Sequence, residues 1–150
     1  MKPVVMYTDK RYIRKLKSKN KLKAIEELAV VFRESTACDN VDELISALKE
    51  REQIMSTGIG FGIAIPHARI SSVKEMVFAV GISKNGIDFD SIDSKPVNLI
   101  ILVAAGERQH KEYLKLLSSI MSILKKEMVK ERIIQSGTPE EIITILQEQE

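Results

Sequence analysis

Apolar residues recur along this chain with two different periods, and the changes of period mark out its elements. Leu22, Ile25, Leu28, Ala29 and Phe32 fall three and four apart, which predicts an amphipathic helix over about 20–34. Val41, Leu44, Ile45 and Leu48 predict a second helix, opened by Asn40 with Glu43 as a capping pair. Val4-Val5-Met6-Tyr7 is a short apolar run that predicts a first strand. Residues 56–66 break the helical period: Gly58, Gly60 and Gly62 alternate with Ile59, Phe61 and Ile63, and the segment reads as a loop leading into a short strand. Glu75–Ser83 alternates as a strand does, and Asn85-Gly86 predicts a turn before Ile87-Asp88-Phe89. Val97–Ala104 is nearly continuous in apolar character, as a strand buried on both faces should be. Leu114, Leu117, Met121 and Leu124 form one helical stripe, and a further helical segment covers about 127–135. Thr138-Pro139-Glu140-Glu141 carries an N-cap Thr, Pro at the first helical position and Glu at the third, a strong start signal for a last helix. The order of strand, two helices, several strands and then helices predicts an α+β fold with helices covering a sheet. Neither a repeat nor an interdomain linker interrupts it, so residues 1–150 read as one domain.

Composition narrows the function classes. Apolar residues make up 44% and charged residues 29%, which suits a compact core. Aromatics are sparse and Trp is absent, leaving little material for stacking on sugars or bases. The single cysteine, Cys38, excludes an internal disulfide and fits a reducing compartment. Two histidines and one cysteine are too few for a zinc site without carboxylates, and no metal site is expected. No run approaches the roughly 20 apolar residues of a membrane helix, and no apolar segment follows the N-terminal lysines as a secretory signal would require. The chain reads as cytoplasmic, with no membrane insertion. Net charge is +2, yet residues 1–25 hold nine Lys and Arg against Asp9 alone. No nucleic-acid motif accompanies this arm, so it reads as a solvated basic face and no nucleic-acid partner is expected.

Candidate chemistry concentrates at the two histidines. His67 follows Pro66, whose ring stiffens the approach, while the glycines upstream let backbone come close and free N–H groups to share a space. This suits a nucleophilic imidazole held by a hydrogen bond at one nitrogen; a satisfied buried histidine beside a turn fits the same residues. His110 starts the Leu114 helix, and 110, 114, 117, 121 and 124 share a stripe, so the ring is expected to face inward. Uncapped N–H groups there would favour an anion, although a core histidine filling space is equally compatible. Arg51 and Arg69 could hold phosphate bidentately. The glycines match neither a Walker A loop nor the dinucleotide spacing, and Ser56 lacks a nucleophile elbow.

Arg51-Glu52-x-x-x-Ser56-Thr57-Gly58-Ile59-Gly60-x-Gly62-Ile63-Ala64-Ile65-Pro66-His67-Ala68 resembles the fructose/mannitol-type IIA component of the bacterial phosphoenolpyruvate-dependent sugar phosphotransferase system, a family that includes the nitrogen-regulatory IIA proteins. The likeness runs from about Lys19 to the C-terminus, through Ile87-Asp88-Phe89-Asp90 and the second histidine ahead of a leucine-rich helix. It implies α/β/α layers, a mixed sheet flanked by helices on both faces. It implies that His67 carries the phosphoryl group, received from the carrier HPr or a relative. Arg51 and His110 would support it, with Thr57 as a further phosphate-binding residue. The group would pass to a sugar-specific IIB component; in a stand-alone nitrogen-regulatory type, phosphorylation would instead govern binding to a target protein. No cofactor is implied. A site of this kind needs an exposed apolar rim for partners, for which Phe61 and Ile63 are the expected residues. Arg108 beside His110 departs from the family pattern, and no transporter or IIB module is expected within residues 1–150.

Overall fold

In a computed structural model, which describes residues 2–150, the longest apolar runs pair at the centre of a mixed sheet. Strand β5 (Val77–Ile87) lies antiparallel to β6 (Val97–Ala105). A short strand β1 (Ile13–Lys15) runs parallel to β5 on one side. On the other side of β6 lie β3 (Ile63–Ala64) and β4 (His67–Arg69), both parallel to it, and β2 (Gly58–Gly60) closes a hairpin with β3. β3 and β4 are one extended passage interrupted by Ile65-Pro66. Pro66 has no N–H to give, but its carbonyl still accepts from Val103 N–H at 2.9 Å.

Period-two alternation sorts the sheet residues between two helix layers. Phe78, Val80, Ile82, Leu99, Ile101 and Val103 face α3 (His110–Leu124), α4 (Glu127–Gln135) and α5 (Pro139–Glu148). Ala79, Ile100, Leu102 and Ala104 face α1 (Lys21–Ala29) and α2 (Val41–Ile54). This is the three-layer arrangement expected, and the apolar run of β6 reads as it does because both faces are covered. Among the described residues no helix is long and apolar enough to cross a membrane.

Two helix-start signals acted as read. Asn40 caps α2, its side chain accepting from Glu43 N–H at 3.0 Å, while Asn20, not marked by the sequence pattern, caps α1. Thr138 accepts from Glu141 N–H at 3.2 Å with Pro139 at the first position of α5. The predicted 20–34 helix is α1 followed by a 3₁₀ stretch, Val30–Glu34.

Three expectations are corrected. Val4–Tyr7 is a 3₁₀ helix rather than a strand. Its buried residues, Val4 and Tyr7, are three apart, and with no sheet edge beside them they pack on α3 and α5. The N-terminal strand lies later, at Ile13–Lys15, where only Ile13 is buried, too short to show a period. Asn85-Gly86 does not make a hairpin turn. The pairing jumps from Ile82 opposite Leu99 to Ile87 opposite Val97, so the dipeptide forms a bulge within β5, with Gly86 at φ 82°. Finally, α3 buries Tyr113, Leu116, Ile120, Ile123 and Leu124, while Leu114 is exposed and Leu117 and Met121 sit at the flank. Apolar residues cover so much of this helix that two stripes overlap in the sequence, and the sheet selects the other one.

Candidate functional site

The site forms where β4 leaves the sheet between two helices on opposite layers. The last turn of α2 supplies Arg51, the start of α3 supplies His110, and β4 supplies His67 and Arg69. Together with Ala47, Ala68, Ile70 and Tyr113 they line an open cleft of about 360 Å³. His67 pairs with Val103 and Arg69 with Ala105, so the two side chains project from the same face of the sheet, as residues two apart on a strand must.

A chain of hydrogen bonds sets the orientation of His67. Glu52, buried on the inner side of α2 behind Arg51, accepts from Thr57 N–H at 2.9 Å and from the Thr57 hydroxyl at 2.9 Å. Thr57 carbonyl accepts from Ile65 N–H at 3.0 Å. Ile65 carbonyl then accepts from His67 Nδ1 at 2.9 Å. A carbonyl has no proton to give, so Nδ1 carries the hydrogen and the lone pair of the neutral ring sits on Nε2. The imidazole is half-buried and lies 5.5 Å, centroid to centroid, from the Tyr113 ring.

Electrostatics keep that ring neutral. Burial pushes the His67 imidazole below its usual 6.5, and Arg51 and Arg69 reinforce the shift against the opposing pull of the Ile65 carbonyl. The sign is clear: protonation would consume the Nε2 lone pair, and lowering the pKa moves that loss to more acidic solution. His67, followed by NMR, should titrate with a midpoint below 6.5. A midpoint above 6.5 would contradict this environment.

The arrangement suits a tetrahedral anion. Arg51 donates through Nη1 to Met55 carbonyl at 2.9 Å, which anchors the guanidinium at the end of α2. Gln109, the N-cap of α3, uses its side-chain oxygen to accept from Gly106 N–H and makes no cap to the helix. The first-turn amides of α3 therefore remain open at the positive end of a 15-residue helix.

Of the residues singled out from sequence, His67, Arg51 and His110 are brought together, and Arg69 joins them. Thr57 is not in the cleft; it is buried and bonded to Glu52. His110 lines the cleft but is exposed, not inward-facing, because its stripe of α3 is not the buried one. Arg108 is exposed and does not line the cleft. The expected rim is also corrected. Ile63 is 1% exposed and Phe61 74% exposed, but Phe61 stands at the β2–β3 hairpin tip, beside a different groove. The glycines build that hairpin rather than a cradle: Gly60, Phe61 and Gly62 all have positive φ, and Phe61 N–H donates to Asp93 at 3.1 Å. The exposed apolar residues on the elements of the cleft are Ile54 and Met55 after Arg51 and Leu114 after His110. Sequence reasoning missed Tyr113, which spacing three from His110 could have shown, and Glu52, which lay unused inside the quoted motif.

Residues 6–149 match the family described as phosphoenolpyruvate-dependent sugar phosphotransferase system, EIIA 2. The chain is 34% identical over 131 residues to the fructose-specific EIIABC component of Bacillus subtilis, covering 87% of this chain and 21% of that one, so it spans about a fifth of this relative. It is 30% identical over 131 residues to a nitrogen regulatory protein of Bradyrhizobium diazoefficiens, covering 87% of this chain and 85% of the relative. In structure it is similar to nitrogen regulatory protein IIA-Ntr from Neisseria meningitidis, with TM-score 0.87, 28% identity and coverage of 95% and 98% of the two chains. The complex of enzyme IIAMTL with phosphorylated enzyme IIBMTL from Escherichia coli contains the same fold, with TM-score 0.79, 21% identity and coverage of 92% and 95%.

Proposed function

From the premise that the chain belongs to the EIIA 2 family of the phosphoenolpyruvate-dependent sugar phosphotransferase system, we propose that it is a cytoplasmic phosphoryl carrier that accepts the group on Nε2 of His67. The observation that carries this is the 2.9 Å bond from Nδ1 to Ile65 carbonyl, which leaves Nε2 as the free nitrogen in a cleft with two guanidinium groups. Phosphoryl transfer asks the protein mainly for in-line positioning and for stabilisation of charge on the equatorial oxygens. Nε2 forms a bond to phosphorus as the donor's N–P bond breaks, and the electron pair of that bond stays with the donor nitrogen. Arg51 and Arg69, which line the same cleft, would meet the charge that arrives.

The proposed donor is an HPr-like phosphocarrier and the proposed acceptor a sugar-specific IIB component. IIB is favoured because a IIA of this fold is complexed with a phosphorylated IIB in one structural neighbour. A second reading, a regulator whose phosphorylated and free forms bind a target differently, is favoured by the likeness to nitrogen regulatory proteins over most of their length. Incubation with phosphoenolpyruvate, enzyme I and HPr should give one acid-labile, base-stable phosphoryl group. Transfer from the labelled protein to the IIB domains of the same organism then separates the readings. Rapid, reversible transfer to one of them supports transport. No acceptor, together with a partner that discriminates His67→Asp from wild type, supports regulation.

A further inference from the structure

Tyr113 is a lining residue of the cleft with a polar group to which none of the roles above gives work. It stands one turn into α3, with its ring centroid 5.5 Å from that of His67 and 6.5 Å from that of His110. The residue is 5% exposed, so nearly all of the ring is packed. Its hydroxyl makes no hydrogen bond with any described residue, yet it is not among the sealed, unpartnered polar atoms; the oxygen is open to the cleft. A buried tyrosine normally satisfies its hydroxyl, and one that does not has a donor to spare for a ligand.

The geometry points to Tyr113 as a phosphoryl-contacting residue, its hydroxyl donating a hydrogen bond to a non-bridging oxygen of the group on His67. This deepens the proposed function and rests on phosphoryl acceptance at His67. The phenol suits the role electrostatically. Burial pushes it up to about 12 although Arg69 and Arg51 pull the other way, so the proton stays on oxygen. Arg51 and Arg69 line the same cleft as the Tyr113 ring, so the hydroxyl shares the space that an anion on His67 would enter. Its proton is not transferred: as the bond between Nε2 and phosphorus forms and the donor's N–P bond breaks, the O–H shortens its approach to an oxygen whose charge is rising. Tyr113 thus adds a neutral donor where a third cation would hold the group too firmly to pass on.

Tyr113→Phe removes the hydroxyl and keeps the ring. Single-turnover transfer from phosphorylated HPr should slow about 10- to 100-fold, the range for one hydrogen bond to a charged group. The ³¹P resonance of the phosphohistidine should move, and the thermal midpoint should not fall. A wild-type rate with an unmoved ³¹P resonance overturns the inference. So does slowing accompanied by a lowered midpoint and an unmoved resonance, since that marks a packing role. His67→Ala is run beside it. Label lost there, with Tyr113→Phe transferring at the wild-type rate, overturns this inference alone; label kept at the wild-type level in His67→Ala overturns the acceptor reading and this inference with it.

Discussion

His67→Ala should abolish phosphoryl acceptance and leave a folded protein. The two effects separate because the ring contributes differently to each. In the fold it makes one hydrogen bond, Nδ1 to Ile65 carbonyl, and one tilted contact with Tyr113. A bond of this kind is worth about 0.5–1.5 kcal/mol and an aromatic pair a similar amount, so the substitution should cost about 1–3 kcal/mol. At this chain length that is a fall of roughly 2–12 °C in thermal midpoint. In the proposed chemistry it supplies the attacking atom, and no neighbour is expected to replace it. His110 lines the same cleft but is exposed, and among the described residues its ring has no backbone carbonyl partner of the kind that sets the tautomer of His67. Labelling from phosphoenolpyruvate, with a thermal melt of the same sample, tests both halves. A variant labelled to the wild-type level would end the assignment. Label lost in His110→Ala and kept in His67→Ala would reverse the two histidines.

Arg51→Lys should slow acceptance by about 10- to 1000-fold while changing stability little. The charge survives, but the ammonium lacks the planar fork that meets two phosphate oxygens at once. It also loses the anchor: Nη1 donates to Met55 carbonyl at the end of α2, which leaves the rest of the guanidinium aimed at the cleft. Arg51 is half-buried and makes no ion pair among the described residues, so the fold does not depend on it. Single-turnover transfer from phosphorylated HPr measures the effect. A rate within twofold of wild type would show that charge alone suffices there, and the bidentate role would be withdrawn.

Much of this was readable from local chemistry. Helix starts were legible at Asn40 and Thr138 because a cap is a contact between residues three apart. The apolar run 97–105 was legible as a strand covered on both faces for the same local reason. Local chemistry marked His67, His110, Arg51 and Arg69 as candidates, and the family likeness then gave roles to His67, Arg51 and His110.

What lay beyond the sequence was everything decided by a neighbour distant along the chain. Val4–Tyr7 had the composition of a strand and became 3₁₀ because its surroundings are two helices rather than a sheet edge. Asn85-Gly86 had the chemistry of a turn, but β6 opposite it continued, so the same backbone freedom made a bulge. The apolar faces of α3 were ambiguous until the sheet covered one, which turned His110 outward and Tyr113 in. Thr57 sat in the motif beside the glycines, yet the tertiary fold gave its hydroxyl to Glu52 and its carbonyl to Ile65. Sequence alone picked out the two histidines as candidates and showed how the helices after Asn40 and Thr138 begin, because residue chemistry and capping are local. Only tertiary structure decided which nitrogen of His67 is free and which side chains meet it, because hydrogen-bond partners and burial are set by elements that the chain brings together from far apart.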